Sequence, residues 1–426
     1  MNILGCWILL DELLFTSLIM TIKTNCTLCD NPNREIINLG NSPPANNFVE
    51  KEKDLVQAYP LILDYCDNCS GLQLRHCLEK EQLYSNYTYL TPDTNSLTEH
   101  YGKIVDFLVS NNYISSKINC LEVGSNNGRF LHYLKPYVNS VLGVDPAKNV
   151  AKFASDLGVE TIVDFFSKSV VEDVLKKKGD IKFIAARHMF AHNSTPDDIF
   201  EGMDDLLHDK GVILIENQYA FDTLQKGAFD QIYHEHMFYY SVKNMENYLK
   251  SRQYDLNDIL LTDIHGGSIV FISSKENTFP ISSKVNSQLE YEQDLLKDDL
   301  IFNNFLDIVK EVKLKTLGEI DSDVAQQKKV IAYGAPAKAF TMFSTLELDN
   351  RKIAFCVDTS VTKIGKIFPT FNIPIISEND LSDKEYDTVL VTAWNYKEDI
   401  LKRSEDIFKK GTKLIFPLPE FEILYV

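Results

Sequence analysis

The sequence predicts an α/β protein in which a small cysteine-rich domain precedes two Rossmann-like domains. The chain has 426 residues, and at about 150 residues per domain this length suggests two to four compact units. Two Cys-x-x-Cys pairs lie near the N-terminus, and two separate series of strand-like segments follow, each alternating with helical segments. Because strands that alternate with helices are typical of βαβ units, each series predicts a parallel sheet.

The composition predicts a globular protein that acts on a small molecule. Hydrophobic residues make up 44% of the chain and charged residues 24%, as in ordinary globular proteins. The formal net charge of −18 would repel a nucleic-acid backbone, so we expect no nucleic-acid partner.

Residues 1–20 are the most apolar stretch, but Asp11 and Glu12 interrupt it and no basic segment precedes it. We therefore expect neither a membrane span nor a cleaved signal peptide. We treat residues 1–20 as an extension outside the domains, with either Met1 or Met20 as the true start.

Four of the 8 cysteines form a metal-binding pattern in a small domain of residues 21–81: Cys26, Cys29, Cys66 and Cys69. Each Cys-x-x-Cys pair can place two thiolates on one side of a turn, and two pairs complete a tetrahedral zinc site that is structural because no coordination position stays open. The alternatives are reduced cysteines packed in a core and a redox-active pair, although the latter should follow a strand in a βαβ context. The other cysteines are scattered, which favours a reducing, cytoplasmic compartment over a disulfide framework.

The first strand series contains a glycine turn typical of a cofactor site, within a predicted domain of residues 82–275 that begins with a bridge. Strand-like runs cover 119–123, 141–144, 161–163, 182–186 and 211–216. The first run leads into a turn whose glycines let the backbone approach a ligand at the carboxyl end of a strand. Asp145 ends the next run, about 20 residues on, where a carboxylate could bind two ribose hydroxyls.

The glycine spacing differs from Gly-x-Gly-x-x-Gly, which disfavours a nicotinamide cofactor. The arrangement is similar to that of class I methyltransferases and predicts S-adenosylmethionine, with an ordinary strand-to-helix turn as the alternative. The predicted cofactor-binding residues are Glu122, Gly124, Ser125, Asn126, Gly128 and Asp145.

A third cluster combines Tyr233, His234, Glu235 and His236 with further tyrosines. Histidines that titrate near neutrality, next to a carboxylate and several hydroxyls, are suited to acid–base chemistry. A zinc site built on the two histidines and a solvated polar turn are the alternatives. His192, which follows another predicted strand, would by itself more often be structural.

The C-terminal domain, residues 276–426, opens with a charged, helix-permissive stretch over 276–328. Strand-like runs at 330–333, 353–357 and 388–392 then indicate a second parallel sheet. The first of them leads into Tyr333-Gly334-Ala-Pro-Ala-Lys338, which offers a helix N-terminus and a lysine to an anion such as a pyrophosphate. A tight turn with a surface lysine is the alternative.

The order of these motifs resembles that of the C-methyltransferases that modify nucleotide-linked 4-keto deoxysugars. The resemblance extends from Cys26 to the C-terminus and rests on the four-cysteine site, Tyr89-Leu-Thr with Ser96, Glu122-Val-Gly-Ser-Asn-Asn-Gly128, Phe-Ala-His192, Ile-Tyr-His-Glu-His236, His265-Gly-Gly-Ser268 and Tyr-Gly-Ala-Pro-Ala-Lys338. It implies that the first domain binds zinc, that the central domain binds S-adenosylmethionine and that the C-terminal domain helps to hold the nucleotide of the sugar.

The resemblance also implies roles for individual residues. His236 would be the base that forms an enolate, and Tyr233, Glu235, His192 and Tyr89 would line the sugar pocket. The substrate would further contact His234, Tyr333, Gly334 and Lys338.

The expected reaction is methyl transfer to the carbon next to the ketone of a nucleotide-linked 4-keto deoxysugar. The chain differs from the family at Asn127, where an acidic residue is common, at His188, where Asn is common, and at Ile269-Val270, where Leu-Arg often stands. Methylation of a sugar oxygen is therefore the second hypothesis, and a non-catalytic zinc-bearing module is the third. The sequence does not fix the nucleotide, the sugar, the methylated carbon or the oligomeric state.

Overall fold

The fold is described by a computed structural model that covers residues 20–51, 56–79, 83, 91 and 94–426. Tyr89 lies outside the described residues, as does the predicted N-terminal extension except for Met20, which begins the first strand.

Strands and helices are numbered in chain order. The strands are β1 (Met20–Ile22), β2 (Arg34–Ser42), β3 (Tyr59–Tyr65), β4 (Leu72–Leu74), β5 (His76–Leu78), β6 (Asn119–Val123), β7 (Ser140–Val144), β8 (Thr161–Ile162), β9 (Ile181–Arg187), β10 (Leu207–Gln218), β11 (Phe238–Tyr239), β12 (Tyr254–Thr262), β13 (Ser268–Lys275), β14 (Val330–Tyr333), β15 (Cys356–Asp358), β16 (Ile367–Phe368), β17 (Ile373–Ser377), β18 (Thr388–Val391), β19 (Lys413–Phe416) and β20 (Glu422–Tyr425). The α-helices are α1 (Asn95–Ser110), α2 (Arg129–Leu134), α3 (Lys148–Asp156), α4 (Lys168–Lys178), α5 (Pro196–Leu206), α6 (Ala220–Gln225), α7 (Val242–Lys250), α8 (Ser283–Leu295), α9 (Leu300–Ala325), α10 (Ala339–Thr345), α11 (Lys397–Lys402) and α12 (Ser404–Ile407).

The N-terminal domain contains an antiparallel sheet with one strand from a distant part of the chain. The strand order is β11-β4-β3-β2, and β1 pairs separately with β5. Strand β11 follows His236 almost directly, and its Phe238 and Tyr239 pair with Gln73 and Leu72 of β4. The segment after His236 therefore belongs to the sheet of the N-terminal domain.

The central domain has a sheet in the order β12-β13-β10-β9-β6-β7-β8. Strands β10, β9, β6, β7 and β8 are parallel, and their buried residues form continuous apolar runs because both faces of the sheet are covered. Strand β6 lies between β7 and β9, so the strand order reverses at β6, where open α/β sheets bind ligands.

The five strands predicted for the central sheet are parallel, but two further strands at one edge were not predicted. Strand β13 is antiparallel to both β10 and β12. The connection 263–267 between β12 and β13 is too short for the crossover that parallel neighbours require.

The C-terminal sheet has the order β16-β17-β15-β14-β18-β19-β20, with parallel central strands and an antiparallel strand at each edge. Its switch point is β14, which lies between β15 and β18. Helices α8 and α9 confirm the helical stretch predicted over 276–328, and α9 packs through Phe302, Phe305 and Val309. The three domains share one continuous apolar core.

Within the described residues, no helix combines the length and the apolar composition needed to cross a bilayer.

Candidate active site and zinc site

The glycine turn between β6 and α2 presents backbone to a cavity. Gly124 and Gly128 have φ angles of 72° and 71°, which side chains rarely adopt. A Cβ atom on Gly124 would lie 2.8 Å from Cβ of Met189, and one on Gly128 would lie 2.9 Å from Cβ of Ala154. Both positions therefore require glycine for conformational and steric reasons.

The Asp145 carboxylate lies across this turn. Its Oδ2 accepts the Asn126 N–H at 2.8 Å, and its Oδ1 accepts the Ala147 N–H at 2.9 Å. Each carboxylate oxygen has a second lone pair, so Asp145 can also accept hydrogen bonds from a pair of ribose hydroxyls. Burial raises the pKa of Asp145, although the two backbone hydrogen bonds oppose this shift.

A cavity of about 1070 Å³ opens from the turn. Its lining contains the following residues predicted from the sequence: Glu122, Gly124, Ser125, Asn126, Asp145 and His192. Small-molecule pockets measure roughly 300–1,000 Å³, so the cavity has room for a cofactor and for part of a second ligand. The turn, the acidic side chain and the cavity together fit an adenosyl cofactor.

A buried charged cluster forms the wall behind Glu122. The fully buried Glu216 accepts hydrogen bonds from Nε of Arg187 at 2.8 Å and from Nε2 of His100 at 2.6 Å. Burial would raise the pKa of Glu216, but Arg187 and the neighbouring histidines hold it well below its usual value. Burial dominates at Glu122, which lies 3.5 Å from Arg187, and raises its pKa to about 8. The wall therefore contains the ionised carboxylate of Glu216 and the carboxyl group of Glu122, which holds a proton near neutral pH.

His188 lies between this wall and the cavity. Its Nε2 is 3.5 Å from Oε1 of Glu216, and its ring meets the ring of His265 edge-on at 4.8 Å between centroids. Both histidines line the cavity.

His236 belongs to a segment of residues 229–241 that we call the His236 segment. Nδ1–H of the His236 ring donates to the Gln231 carbonyl at 3.0 Å, and the Tyr233 hydroxyl donates to Nε2 of the same ring at 2.7 Å. A carbonyl can only accept, so the proton is on Nδ1 and Nε2 is the basic nitrogen. Burial lowers the pKa of His236 well below its usual value, which keeps the ring neutral.

His236 does not itself line the cavity formed by the described residues, but its neighbour His192 does. The two rings lie 5.1 Å apart between centroids. Burial lowers the pKa of His192 to about 3, so two neutral imidazoles lie between the Tyr233 hydroxyl and the cofactor turn.

His234 and Glu235 point toward the N-terminal domain. His234 Nε2–H donates to the Pro60 carbonyl at 3.3 Å, and burial lowers the pKa of His234 to about 4. Glu235 accepts a hydrogen bond from Nδ2 of Asn46 at 3.0 Å, and burial raises its pKa to about 7. His234 and Glu235 therefore face the N-terminal domain, whereas Tyr233 and His236 contact each other.

Tyr333 and Gly334 lie at the switch point of the C-terminal sheet, where a nucleotide was expected. The Tyr333 hydroxyl donates to Glu378, and Gly334 has a φ angle of 92°. The next backbone N–H, that of Ala335, donates to Asp358 at 2.6 Å.

Lys338 differs from the expected anion-binding lysine. It is 5% exposed, and its Nζ lies 3.8 Å from Oδ2 of Asp230 and 3.7 Å from the centroid of the Trp394 ring. The ammonium group of Lys338 is therefore paired with the buried carboxylate of Asp230. Sequence spacing indicated the helix N-terminus but carried no information about this partner.

The four predicted zinc ligands converge in the N-terminal domain. Their Sγ atoms all lie within 4.8 Å of one another, and two of the pairs are 3.5 Å apart. Zn–S bonds of about 2.3 Å in a tetrahedron separate the sulfurs by about 3.8 Å, so the four thiols fit zinc. Cys77, Cys120 and Cys356 are free thiols at other positions.

Asn244 connects this site to the central domain. From helix α7 its Nδ2 donates to Sγ of Cys69 at 3.0 Å. Outer contacts of this kind orient a metal ligand and stabilise its negative charge.

Comparison with known proteins agrees with this organisation. Three family models match the chain in succession: a zinc binding domain over residues 26–84, a methyltransferase domain over residues 96–259 and a C-methyltransferase C-terminal domain over residues 263–419. The C-methyltransferase NovU of Streptomyces niveus is 30% identical over 404 residues, which make up 94% of this chain and 96% of NovU. The chain belongs to the C-methyltransferase family.

This C-methyltransferase is thus an S-adenosylmethionine-dependent enzyme with a zinc-binding first domain, and its three-domain α/β layout agrees with the sequence prediction.

Two solved methyltransferase structures resemble part of the chain. Magnesium protoporphyrin IX methyltransferase of Synechocystis PCC 6803 is 10% identical, with 44% of this chain and 88% of that chain covered and a TM-score of 0.34. A methyltransferase of Anabaena variabilis is 13% identical, with 45% and 99% covered and a TM-score of 0.33.

Several residues of the two sites escaped the sequence prediction: His100, Arg187, Glu216 and Gln231 near the cavity, and Asn244 at the cysteine cluster. Arg187 and Glu216 carried a usable signal, because each is a charged residue near the carboxyl end of a buried parallel strand. Gln231 and Asn244 carried none, since Gln231 acts through its backbone carbonyl and Asn244 through a contact with Cys69 in the N-terminal domain.

Proposed function

We propose that this C-methyltransferase methylates the carbon next to the ketone of a nucleotide-linked 4-keto deoxysugar, with His236 as the base. Such a carbon becomes nucleophilic only when a base removes its proton, and the enolate formed needs hydrogen-bond donors where negative charge develops. The observation that carries the proposal is the 3.0 Å contact between Nδ1 of His236 and the Gln231 carbonyl. Because a carbonyl only accepts, this contact assigns the proton to Nδ1 and leaves Nε2 basic.

In the proposed reaction the Tyr233 hydroxyl first turns its hydrogen from Nε2 of His236 to the ketone oxygen, which frees the single lone pair of Nε2. The C–H bond next to the ketone then breaks, its proton goes to Nε2 and its electron pair forms the enolate. Once protonated, Nε2 donates to the Tyr233 oxygen, while the phenolic hydrogen stays bonded to the enolate oxygen. The 2.7 Å between the two groups supports this exchange. When bound, S-adenosylmethionine supplies an electrophilic methyl group to the carbanionic carbon.

His192, Glu235 and Tyr89 are proposed to complete the sugar pocket. His192 lines the cofactor cavity, and its ring lies 5.1 Å from that of His236, so a sugar that contacts it would also lie near the donor methyl group. Glu235 would act from the side of the N-terminal domain, where Asn46 holds it. His234, bonded to Pro60, would contribute to the same side of the pocket.

The nucleotide is proposed to bind at the switch point of the C-terminal sheet, near Tyr333 and Gly334. Ligands bind to open α/β sheets at such points. A contact between Lys338 and the pyrophosphate would require its ion pair with Asp230 to open.

Labelled S-adenosylmethionine and a panel of nucleoside-diphosphate-linked 4-keto deoxysugars test the proposal, with the methyl position read by NMR. We expect label on a carbon adjacent to the ketone. An O-methylated product would overturn the carbon assignment in favour of a sugar O-methyltransferase. Absence of S-adenosylmethionine binding in calorimetry would instead support a non-catalytic module.

A further inference from the structure

The C-terminal domain holds the beginning of the His236 segment through a buried polar group. Asp230 is fully buried, and its Oδ2 accepts the indole N–H of Trp394 at 2.6 Å. Nζ of Lys338 approaches the same oxygen at 3.8 Å and lies over the Trp394 ring. We call Asp230, Lys338 and Trp394 the interdomain clamp.

A further hydrogen bond secures the segment two residues later. The Thr341 hydroxyl, on helix α10, donates to the Ile232 carbonyl at 2.6 Å. The C-terminal domain therefore fixes the backbone on both sides of Gln231.

Gln231 connects this fixed backbone to His236, the proposed base. Its carbonyl accepts Nδ1–H of His236 at 3.0 Å and the Tyr239 hydroxyl at 2.8 Å. Its side-chain Nε2 donates to the His265 carbonyl at 2.8 Å, and His265 lines the cofactor cavity. The orientation of this one peptide group thus decides which nitrogen of His236 is basic.

We propose that the interdomain clamp positions His236 through the Gln231 carbonyl, so that Asp230, Lys338 and Trp394 are positioning residues for the reaction. The catalytic part of this inference rests on the proposed role of His236 as the base. A solvent-exposed pair could not serve this purpose, because its geometry would be loose and its attraction weak. A buried carboxylate bonded to an indole and paired with an ammonium has a defined geometry, and removing one partner leaves a buried charge uncompensated.

The clamp also lies where the C-terminal domain is proposed to bind the nucleotide. Lys338 follows β14 and Trp394 follows β18, which are the neighbouring strands at the switch point. A Cβ atom on Gly334 would lie 2.5 Å from Cβ of Ala393, so the two loops are in close contact. A ligand at this edge would therefore lie next to the interdomain clamp, which is proposed to orient His236.

The test compares clamp variants by two-bond ¹H–¹⁵N correlation of the full-length protein labelled on its 9 histidines, with His236 assigned by its absence in H236Q. The variants are Trp394→Phe, which keeps an aromatic ring but removes the indole N–H, Lys338→Met, and the double variant Asp230→Asn with Lys338→Met, which removes both charges. Lys413→Met is the matched control, since it breaks ion pairs with Glu319 at 2.9 Å and with the buried Asp323 at 2.5 Å in the same domain without contacting the His236 segment.

We expect His236 of the wild type to show the Nδ1–H tautomer. Trp394→Phe and Lys338→Met should shift or broaden its ring signals and lower kcat for methyl transfer about 10- to 100-fold, the cost of small misplacement of a reacting group. Their affinity for S-adenosylmethionine in calorimetry should stay within about twofold of the wild type. The double variant should recover part of the loss, because it leaves no uncompensated charge and retains an acceptor for Trp394.

Unchanged His236 signals in the folded single variants would overturn the proposal, as would an equal change in Lys413→Met. The NMR readout does not depend on turnover. If the clamp variants move the His236 signals but no keto sugar is methylated, the clamp stands and the proposed function fails.

Discussion

The Tyr233 hydroxyl donates a 2.7 Å hydrogen bond to Nε2 of His236, and the centroids of the two rings are only 4.0 Å apart. The opposite nitrogen of the same imidazole is held by the Gln231 carbonyl. A neutral imidazole has one basic nitrogen, and here that nitrogen meets the phenol. Changes to either partner should therefore affect chemistry more than ligand binding.

The variant His236→Ala should lower the rate of methyl transfer by about 10²–10⁴, the usual worth of general acid–base catalysis. Calorimetry should show S-adenosylmethionine bound as in the wild type. Tyr233→Phe and His192→Ala should show smaller losses, although the effects of coupled residues need not add. His132→Ala, an exposed histidine bonded to the Leu157 carbonyl, is the control and should retain full activity.

Solvent exchange checks the same base independently. In heavy water without the methyl donor, the wild type should exchange deuterium into the carbon next to the ketone, and His236→Ala should not. Full turnover by the variant would contradict the assignment and move the base to His192 or His234.

The pH dependence of kcat/KM should lack an acid limb near pH 6.5, the usual pKa of histidine. Burial lowers the pKa of His236 well below that value and the pKa of His192 to about 3. A base with a lowered pKa is in its neutral, proton-accepting form at all pH values above that pKa, so activity should persist as the pH falls from 7 to 5. Because kcat/KM reports the free enzyme, initial rates at low substrate are the measurement. If kcat/KM instead falls with a midpoint near pH 6.5 while the protein stays folded, the base is not a buried histidine.

Asp145→Ala should weaken S-adenosylmethionine binding by about 1.5–3 kcal/mol, the range for hydrogen bonds that involve a charged group. This corresponds to about 10- to 150-fold in Kd. The change removes the acceptors of the Asn126 and Ala147 N–H groups as well as those proposed for the ribose. Isothermal calorimetry measures the effect, with exposed Asp156→Ala as the control. An unchanged Kd would mean that the cofactor does not contact Asp145.

Elemental analysis of the purified protein should find one zinc per chain. Replacement of Cys26, Cys29, Cys66 or Cys69 should unfold the N-terminal domain, because metal binding supplies much of the folding free energy of small zinc domains. Folded protein without zinc would contradict the assignment.

Asn244→Ala tests the outer contact of the zinc site. Loss of the Nδ2 hydrogen bond to Cys69 should weaken zinc binding about 10- to 100-fold, measured by competition with a chelator. Asn247→Ala, on the same helix, is the control and should bind zinc as tightly as the wild type. Equal affinities in the two variants would show that Asn244 is not part of the metal site.

The reliable sequence predictions concern residues that act with near neighbours. The four cysteines, the glycine turn and Asp145 came from short spacings, and the structure brings the cysteines together and lines one cavity with most of the predicted cofactor residues. The antiparallel strands β12 and β13 were not predicted, because periodicity does not give the direction in which a strand enters a sheet.

The sequence did not predict how the side chains of the Tyr-His-Glu-His motif are oriented. Its pattern indicated acid–base chemistry but not which side chain faces the cavity. His234 turns to Pro60 and Glu235 to Asn46, which are 174 and 189 residues away in sequence. Burial against the N-terminal domain selects these orientations, and a single strand pair, β11 with β4, fixes the register.

The sequence by itself predicted the class of the protein, its α/β architecture, the four cysteines that the structure brings together and the glycine turn at the cavity, because backbone conformation and metal coordination demand particular residue types at particular local spacings. Only the tertiary structure decided the partner of Lys338, the tautomer of His236 and the contact of Asn244 with Cys69. Asp230 and Trp394 are 164 residues apart, and Asn244 and Cys69 are 175 residues apart. Such pairs form because a buried charge or donor must find a complementary group wherever the packed domains place one.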